Sequence, residues 1–124
     1  MIIALMLICF QIKHFICDYQ LQTQYMLKKT NDYNWIKPLA AHAGIHSLFT
    51  FLIVSIFSGF VLALLMALLD FTIHFIIDRI KAKLSKRTNP SESKFWSYLG
   101  LDQMAHHLTH YTIILIVGVQ HAII

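Results

Sequence analysis

Charge is scarce in this chain: Asp, Glu, Lys and Arg make up 13% of its 124 residues, against 57% hydrophobic residues and a mean hydropathy of +0.62. A soluble domain of this size lacks the interior to hide so much apolar surface, whereas a bilayer supplies it. Cysteine is nearly missing as well. Cys9 and Cys17 fall on one expected helix, match no zinc-knuckle spacing and offer no disulfide geometry, so both are read as buried free thiols. The apolar run Met1–Phe10 has no basic segment before it and no small-residue cleavage site after it, and is expected to be the retained start of helix 1 rather than a removed signal. There is no Gly-x-Ser-x-Gly elbow, and Ser47, Ser55 and Ser58 have no triad context, which argues against covalent serine catalysis. Repeats, low-complexity tracts and a separate soluble segment are also missing.

What is present fits spans. At about 20 residues each, four helices and short loops use nearly the whole length. The reading is an all-α, integral-membrane four-helix bundle, a single domain over residues 1–124 with helices at about 2–27, 38–58, 60–86 and 101–124. Helix 1 is apolar to Phe10 and then mixed; a polar loop with Tyr33 and Trp35 follows, and Pro38 suits the first turn of helix 2. Gly59 makes a tight return, Ser85–Ser93 cannot continue a span, and Phe95, Trp96 and Tyr98 read as interfacial aromatics before a helix starting near Asp102. All ten Lys and Arg lie in the far part of helix 1, the end of helix 3 or the two long loops. The positive-inside rule therefore predicts cytoplasmic long loops and outer termini, in a multi-pass protein of the cell's inner or plasma membrane.

The chain is organised around Phe60–Lys81, a span that nevertheless carries Asp70, His74 and Asp78. Positions four apart differ by about 40° around a helix, so these side chains form one stripe, with Lys81 almost under His74. Ionisable groups in hydrocarbon cost several kcal/mol unless paired or hydrated, so the stripe should face a partner or a polar cavity. Counting about 1.5 Å per residue from the outer face puts His14 and Asp18, and His46 and His42, roughly 18 to 24 Å in. The same count puts His74 and Asp78, and His110 and His106, roughly 21 to 27 Å in, with Asp102 slightly deeper.

Imidazole and carboxylate pairs on facing helices are what a bundle uses to hold divalent metal. The expected ligands are His14, Asp18, His42, His74, Asp78 and His106, with His46 and Asp102 as further ligands or outer partners. Mixed nitrogen and oxygen donors favour zinc first, then manganese or iron, over calcium or copper(I). Gln22 and Gln103 are expected to orient the ligands. A lone histidine on an apolar helix is more often a packing residue; several at one depth make the metal or proton site the stronger reading over a structural hydrogen-bonded network. His107 and His121 point elsewhere and are read as bland. Asp70, one turn shallower, is the weakest member and is expected to hold His74 in its tautomer. Lys81 either pairs with Asp78, the preferred reading, or offers charge to a substrate phosphate. The remaining basic residues read as topology signals and anionic-lipid contacts, with no nucleic acid partner expected.

The set His14-x3-Asp18-x2-Leu21-Gln22, His42-x3-His46, His74-x3-Asp78-x2-Lys81 and Asp102-Gln103-x2-His106 resembles a family of small bacterial and phage membrane proteins, domain of unknown function 3307, over nearly the whole chain. The pattern is also similar in style to the predicted membrane-bound metal-dependent hydrolases of the YdjM type. Phosphatidic acid phosphatase signatures do not fit, because Leu68 stands where their Arg would precede the His-x3-Asp, and the CDP-alcohol phosphotransferase framework is missing. The expected function is a metal-dependent hydrolase of an ester or phosphoester in a lipid or lipid-linked substrate at the cytoplasmic leaflet, with Asp78 or Asp102 as general base. The rivals are a metal-ion or proton transporter or relay subunit, a haem-binding bundle and a non-catalytic scaffold. The outer halves of helices 1 and 2 hold no ionisable group, which favours a one-sided pocket. Homo-oligomerisation is expected of so small a bundle.

Overall fold

A computed structural model describes residues 1–123, so the expected helix end at Ile124 lies outside the described residues. The chain is all-α. Helix α1 (Ile2–Phe15) runs into a π-helical turn over Ile16–Gln20, followed by a short α2 (Gln24–Leu27) and a 3-10 turn over Lys28–Thr30. Helices α3 (Ile36–Phe57), α4 (Phe60–Ser85) and α5 (Ser93–Ile123) complete it.

Three segments among the described residues are long and apolar enough to cross a membrane: Ile2–Gln20, Ile36–Phe57 and Phe60–Ser85. At 31 residues α5 has ample length, but its histidines and glutamines lower its apolarity and it is not one of the three.

The first expected helix is broken where 2–27 was read as continuous. Leu21 N–H donates to the Ile16 carbonyl at 2.9 Å, closing the wide turn, and Thr23 adopts an extended backbone whose hydroxyl accepts from Met26 N–H at 3.3 Å. A threonine cap starts a helix rather than continuing one, so the chain turns back at Leu21–Thr23 and α2 folds against α3. The last helix starts at Ser93, well before the expected 101, so Phe95, Trp96 and Tyr98 lie on its first turns. An Asn89–Glu92 turn feeds it, and Trp96 Nε1 donates to the Pro90 carbonyl at 2.8 Å.

The α3–α4 return uses two extended residues, Ser58 and Gly59, neither with positive φ. Ser58 Oγ closes on the Val54 carbonyl at 3.0 Å, Ser55 Oγ on Phe51, and Ser47 Oγ crosses to the Ala67 carbonyl of α4 at 2.7 Å. The three serines are thus bonded to backbone, as expected of residues outside any triad.

The interior divides by height. Toward Gly59 it is apolar, with Met6, Phe10, Val54, Met66, Ile113 and Val117 packed together. In lipid, van der Waals fit rather than water exclusion drives such packing, and Gly118 lets α5 approach Ile3 of α1, where a Cβ would stand 3.2 Å from that side chain. Toward the long loops the interior is polar. That half positions the site.

Candidate metal centre

Four helical segments each deliver an i, i+4 pair to one level. His14 and Asp18 come from α1 and its π turn, His42 and His46 from α3, His74 and Asp78 from α4, and Asp102 and His106 from α5. The π turn matters because it holds Asp18; such turns are rare and recur at functional positions. His42 and His74 are each 1% exposed and His46 is fully buried.

The nitrogens and oxygens converge. Asp18 Oδ1 lies 3.0 Å from His46 Nε2 and 3.4 Å from His42 Nε2, and its Oδ2 lies 3.1 Å from His14 Nε2. Asp78 Oδ1 lies 3.0 Å from His106 Nε2 and 3.6 Å from His74 Nε2, while its Oδ2 lies 3.4 Å from His42 Nε2. Two donor groups result, Asp18–His42–His46–His74 and His74–Asp78–His106, each with all its candidate atoms within 4.8 Å of one another. His74 belongs to both. Asp102 Oδ1 stands 3.4 Å from His106 Nε2, and Gln103 links His14 Nε2, at 3.0 Å, to Asp102 Oδ2, also at 3.0 Å.

These residues suit a cation. Two ligand atoms each about 2.1 Å from one ion stand about 3 to 4 Å apart, the spacing seen here. Among the described residues, neither ring nitrogen of His42 or His74 has a hydrogen-bond partner, and Asp102 Oδ1 has none either. A neutral imidazole must carry one N–H, so no tautomer satisfies these rings by hydrogen bonding alone. A cation at their inward Nε2 atoms would use the lone pairs and offset the carboxylates.

Two lysines close the site from the loop side. Lys29 Nζ lies 2.6 Å from Asp78 Oδ2, and Lys81 Nζ lies 3.7 Å from Asp102 Oδ2. The Lys81–Asp78 pair expected from the stripe is therefore replaced: the 3-10 turn swings Lys29 over Asp78, and Lys81 reaches across to α5. Arg79 steadies that turn by stacking 3.8 Å over the Trp35 ring and donating to the Asn31 carbonyl at 3.2 Å. Farther out, Lys86 pairs with Asp32 and holds its carboxyl below the usual carboxylate range.

Asp70 does not orient His74. It accepts from Lys13 Nζ at 2.7 Å and from Thr50 Oγ1 at 2.6 Å, with His110 Nε2 3.2 Å from the same ammonium. This layer floors the donor cluster on the Gly59 side. Lys13, Lys29 and Thr50 are the partners that sequence reasoning missed; the one signal was a lysine inside an apolar run, since an ionisable residue in a span implies a buried partner. Gln22 bonds the Asp18 backbone carbonyl at 3.1 Å and not its carboxylate. His107 meets Gln11 at 3.4 Å and packs its ring 5.1 Å from that of His14, whereas His121 meets the Phe57 carbonyl at the opposite end of the bundle.

Asp18, Asp78 and Asp102 share a cavity of about 210 Å³ with Lys29, Lys81 and Gln103. It opens toward the loops. No curated protein and no solved structure matches the chain. Residues 6–124 match the family described as protein of unknown function (DUF3307), and the chain belongs to that family.

Proposed function

We propose that the protein is a membrane-embedded, metal-dependent hydrolase acting on an ester or phosphoester of a lipid or lipid-linked substrate. The observation that carries this reading is the pair of overlapping His/Asp donor groups joined at His74, with carboxylates opening onto a cavity at one end of the bundle. The donors His14, His42, His46, His74, His106, Asp18 and Asp78 would hold one or two divalent ions, zinc before manganese or iron. Such an ion supplies a water of lowered pKa and polarises the scissile group. Asp102, whose Oδ1 has no hydrogen-bond partner among the described residues and only the longer 3.4 Å approach of His106 Nε2, would serve as the chain's general base in preference to Asp78, which His106 and Lys29 engage at 3.0 and 2.6 Å. Gln103 fixes both His14 and Asp102.

The full arrangement we infer is a four-helix membrane bundle with α5 as the fourth span, both long loops cytoplasmic and the site at the inner leaflet of the plasma membrane. Its support is the placing of nine of the ten Lys and Arg, all but the buried Lys13, and of the polar half, toward the loop end.

A proton or cation relay is the second reading, favoured by one observation: the Lys13–Asp70–His110 layer extends the polar interior a turn toward Gly59. Above that layer Met6, Phe10, Val54 and Met66 pack without an ionisable group among them, which favours the one-sided pocket.

Elemental analysis of detergent-purified protein, followed by hydrolysis assays on lipid esters and phosphoesters in mixed micelles, tests the proposal. Stoichiometric metal with metal-dependent turnover is expected. A folded protein that takes up no zinc, manganese or iron overturns it.

A further inference from the structure

The outer wall beside the donor cluster is concave. Between α4 and α5 runs a groove of about 290 Å³ lined by Ile77, Ile80, Leu84, Tyr98, Leu101 and Met104. It is close to the lower size of small-molecule sites, about 300 Å³, and nearly all apolar. Among the described residues its charged lining groups are Lys81 and Asp102, and both also line the donor cavity. On the far side of Lys81 lies a second cavity of about 280 Å³ lined by Lys29, Lys81, Lys86 and Asp78, in which Lys29 pairs with Asp78 while Lys81 reaches Asp102 and Lys86 reaches Asp32. Apolar groove, carboxylate-rich site and basic cavity therefore meet at one lysine.

This order of environments matches one kind of molecule. We propose that the α4/α5 groove holds an acyl chain of a lipid phosphate, with its phosphate group against Lys81 and Lys29. The proposal deepens the hydrolase reading and rests on it for the fate of the phosphoester, though not for capture. A neutral lipid ester would offer the remaining ammonium donors of Lys29 and Lys81 only a weak acceptor, whereas a phosphate offers each a charged one. Asp78 and Asp102 hold those ammonium groups meanwhile. An ammonium group carries three donors, so Lys29 and Lys81 can each hold a carboxylate and a phosphate oxygen at once.

The test is photo-labelling of the full chain in phosphatidylcholine nanodiscs, comparing phosphatidic acid and phosphatidylcholine that carry the same acyl-chain diazirine. The phosphatidic acid probe should label Ile77, Leu101 and Met104 roughly tenfold more, the worth of one charge-assisted contact. Lys81→Gln should remove most of that preference, and Leu101→Trp, which fills the groove, should abolish labelling there by either probe. Excess inorganic phosphate should leave labelling in place; its displacement by phosphate alone overturns the acyl-chain assignment. Equal labelling by the two probes, or a preference that survives Lys29→Gln and Lys81→Gln together, also overturns the proposal. Labelling needs neither metal nor turnover. Metal-free protein that keeps the preference upholds lipid phosphate capture while the hydrolase reading fails, and metal-loaded protein without it does the reverse.

Discussion

Lys13 Nζ stands 2.7 Å from Asp70 Oδ2, both side chains 1% exposed, and the two residues are 57 positions apart in sequence. Breaking a buried pair by removing one partner leaves an uncompensated charge and costs about 3 to 5 kcal/mol. Lys13→Met should therefore destabilise the protein strongly. Lys13→Met combined with Asp70→Asn, which keeps an acceptor for Thr50, should recover more than half the loss. Thermal unfolding in detergent for the full double-mutant cycle measures this; simple additivity would show that the pair is not coupled.

His74 is the ring common to both donor groups, so its loss should be felt by each. His74→Ala is expected to lower bound metal more than either His46→Ala, which touches only the first group, or His106→Ala, which touches only the second. Metal-to-protein ratios of the three variants check this. Equal loss from all three would mean one indivisible centre.

Arg79 holds the loop that carries Lys29. Removing its stack on Trp35, worth about 1 kcal/mol at a partly exposed position, should speed amide exchange over Asn31–Asn34 about fivefold in Arg79→Ala. Hydrogen exchange by mass spectrometry reads this out. Unchanged exchange would show that Asp32–Lys86 alone docks the loop.

The Asp32–Lys86 pair has a defined pH sign. Because Lys86 depresses the Asp32 carboxyl, the contact is present above the ordinary carboxylate pKa and is lost as pH falls through the depressed value. An NMR titration of Asp32 should show its midpoint rise in Lys86→Ala. The pair is fully exposed, so global stability should hardly change with it.

The sequence made the donor level legible because pairs at i, i+4 on apolar spans leave a fixed depth mark, whatever the loops do. Which lysine met which carboxylate was not legible. Those pairings depend on how α1 rotates against α4 and on where the chain doubles back after Gln20, and both are set by packing between segments far apart in sequence. The start of α5 was misread for a related reason: Phe95, Trp96 and Tyr98 suggest an interfacial loop by composition, yet an amphipathic helical turn presents aromatics to an interface equally well. The break at Leu21–Thr23 has one local mark in the sequence, Thr23, a residue type suited to capping the helix that follows.

The π turn at Ile16–Gln20 gives the first span a degree of slack. A turn of this type holds about one residue more than an α-turn, so deleting Tyr19 should close it to ordinary helix with the flanking residues in phase, whereas deleting Ile12 from α1 should rotate everything beyond it by about 100°. The Ile12 deletion would turn His14 and Asp18 away from the donors of the other helices. Length, and not only residue identity, is thus under constraint in this segment: a deletion that leaves every named side chain intact should disable the site as surely as replacing one of them.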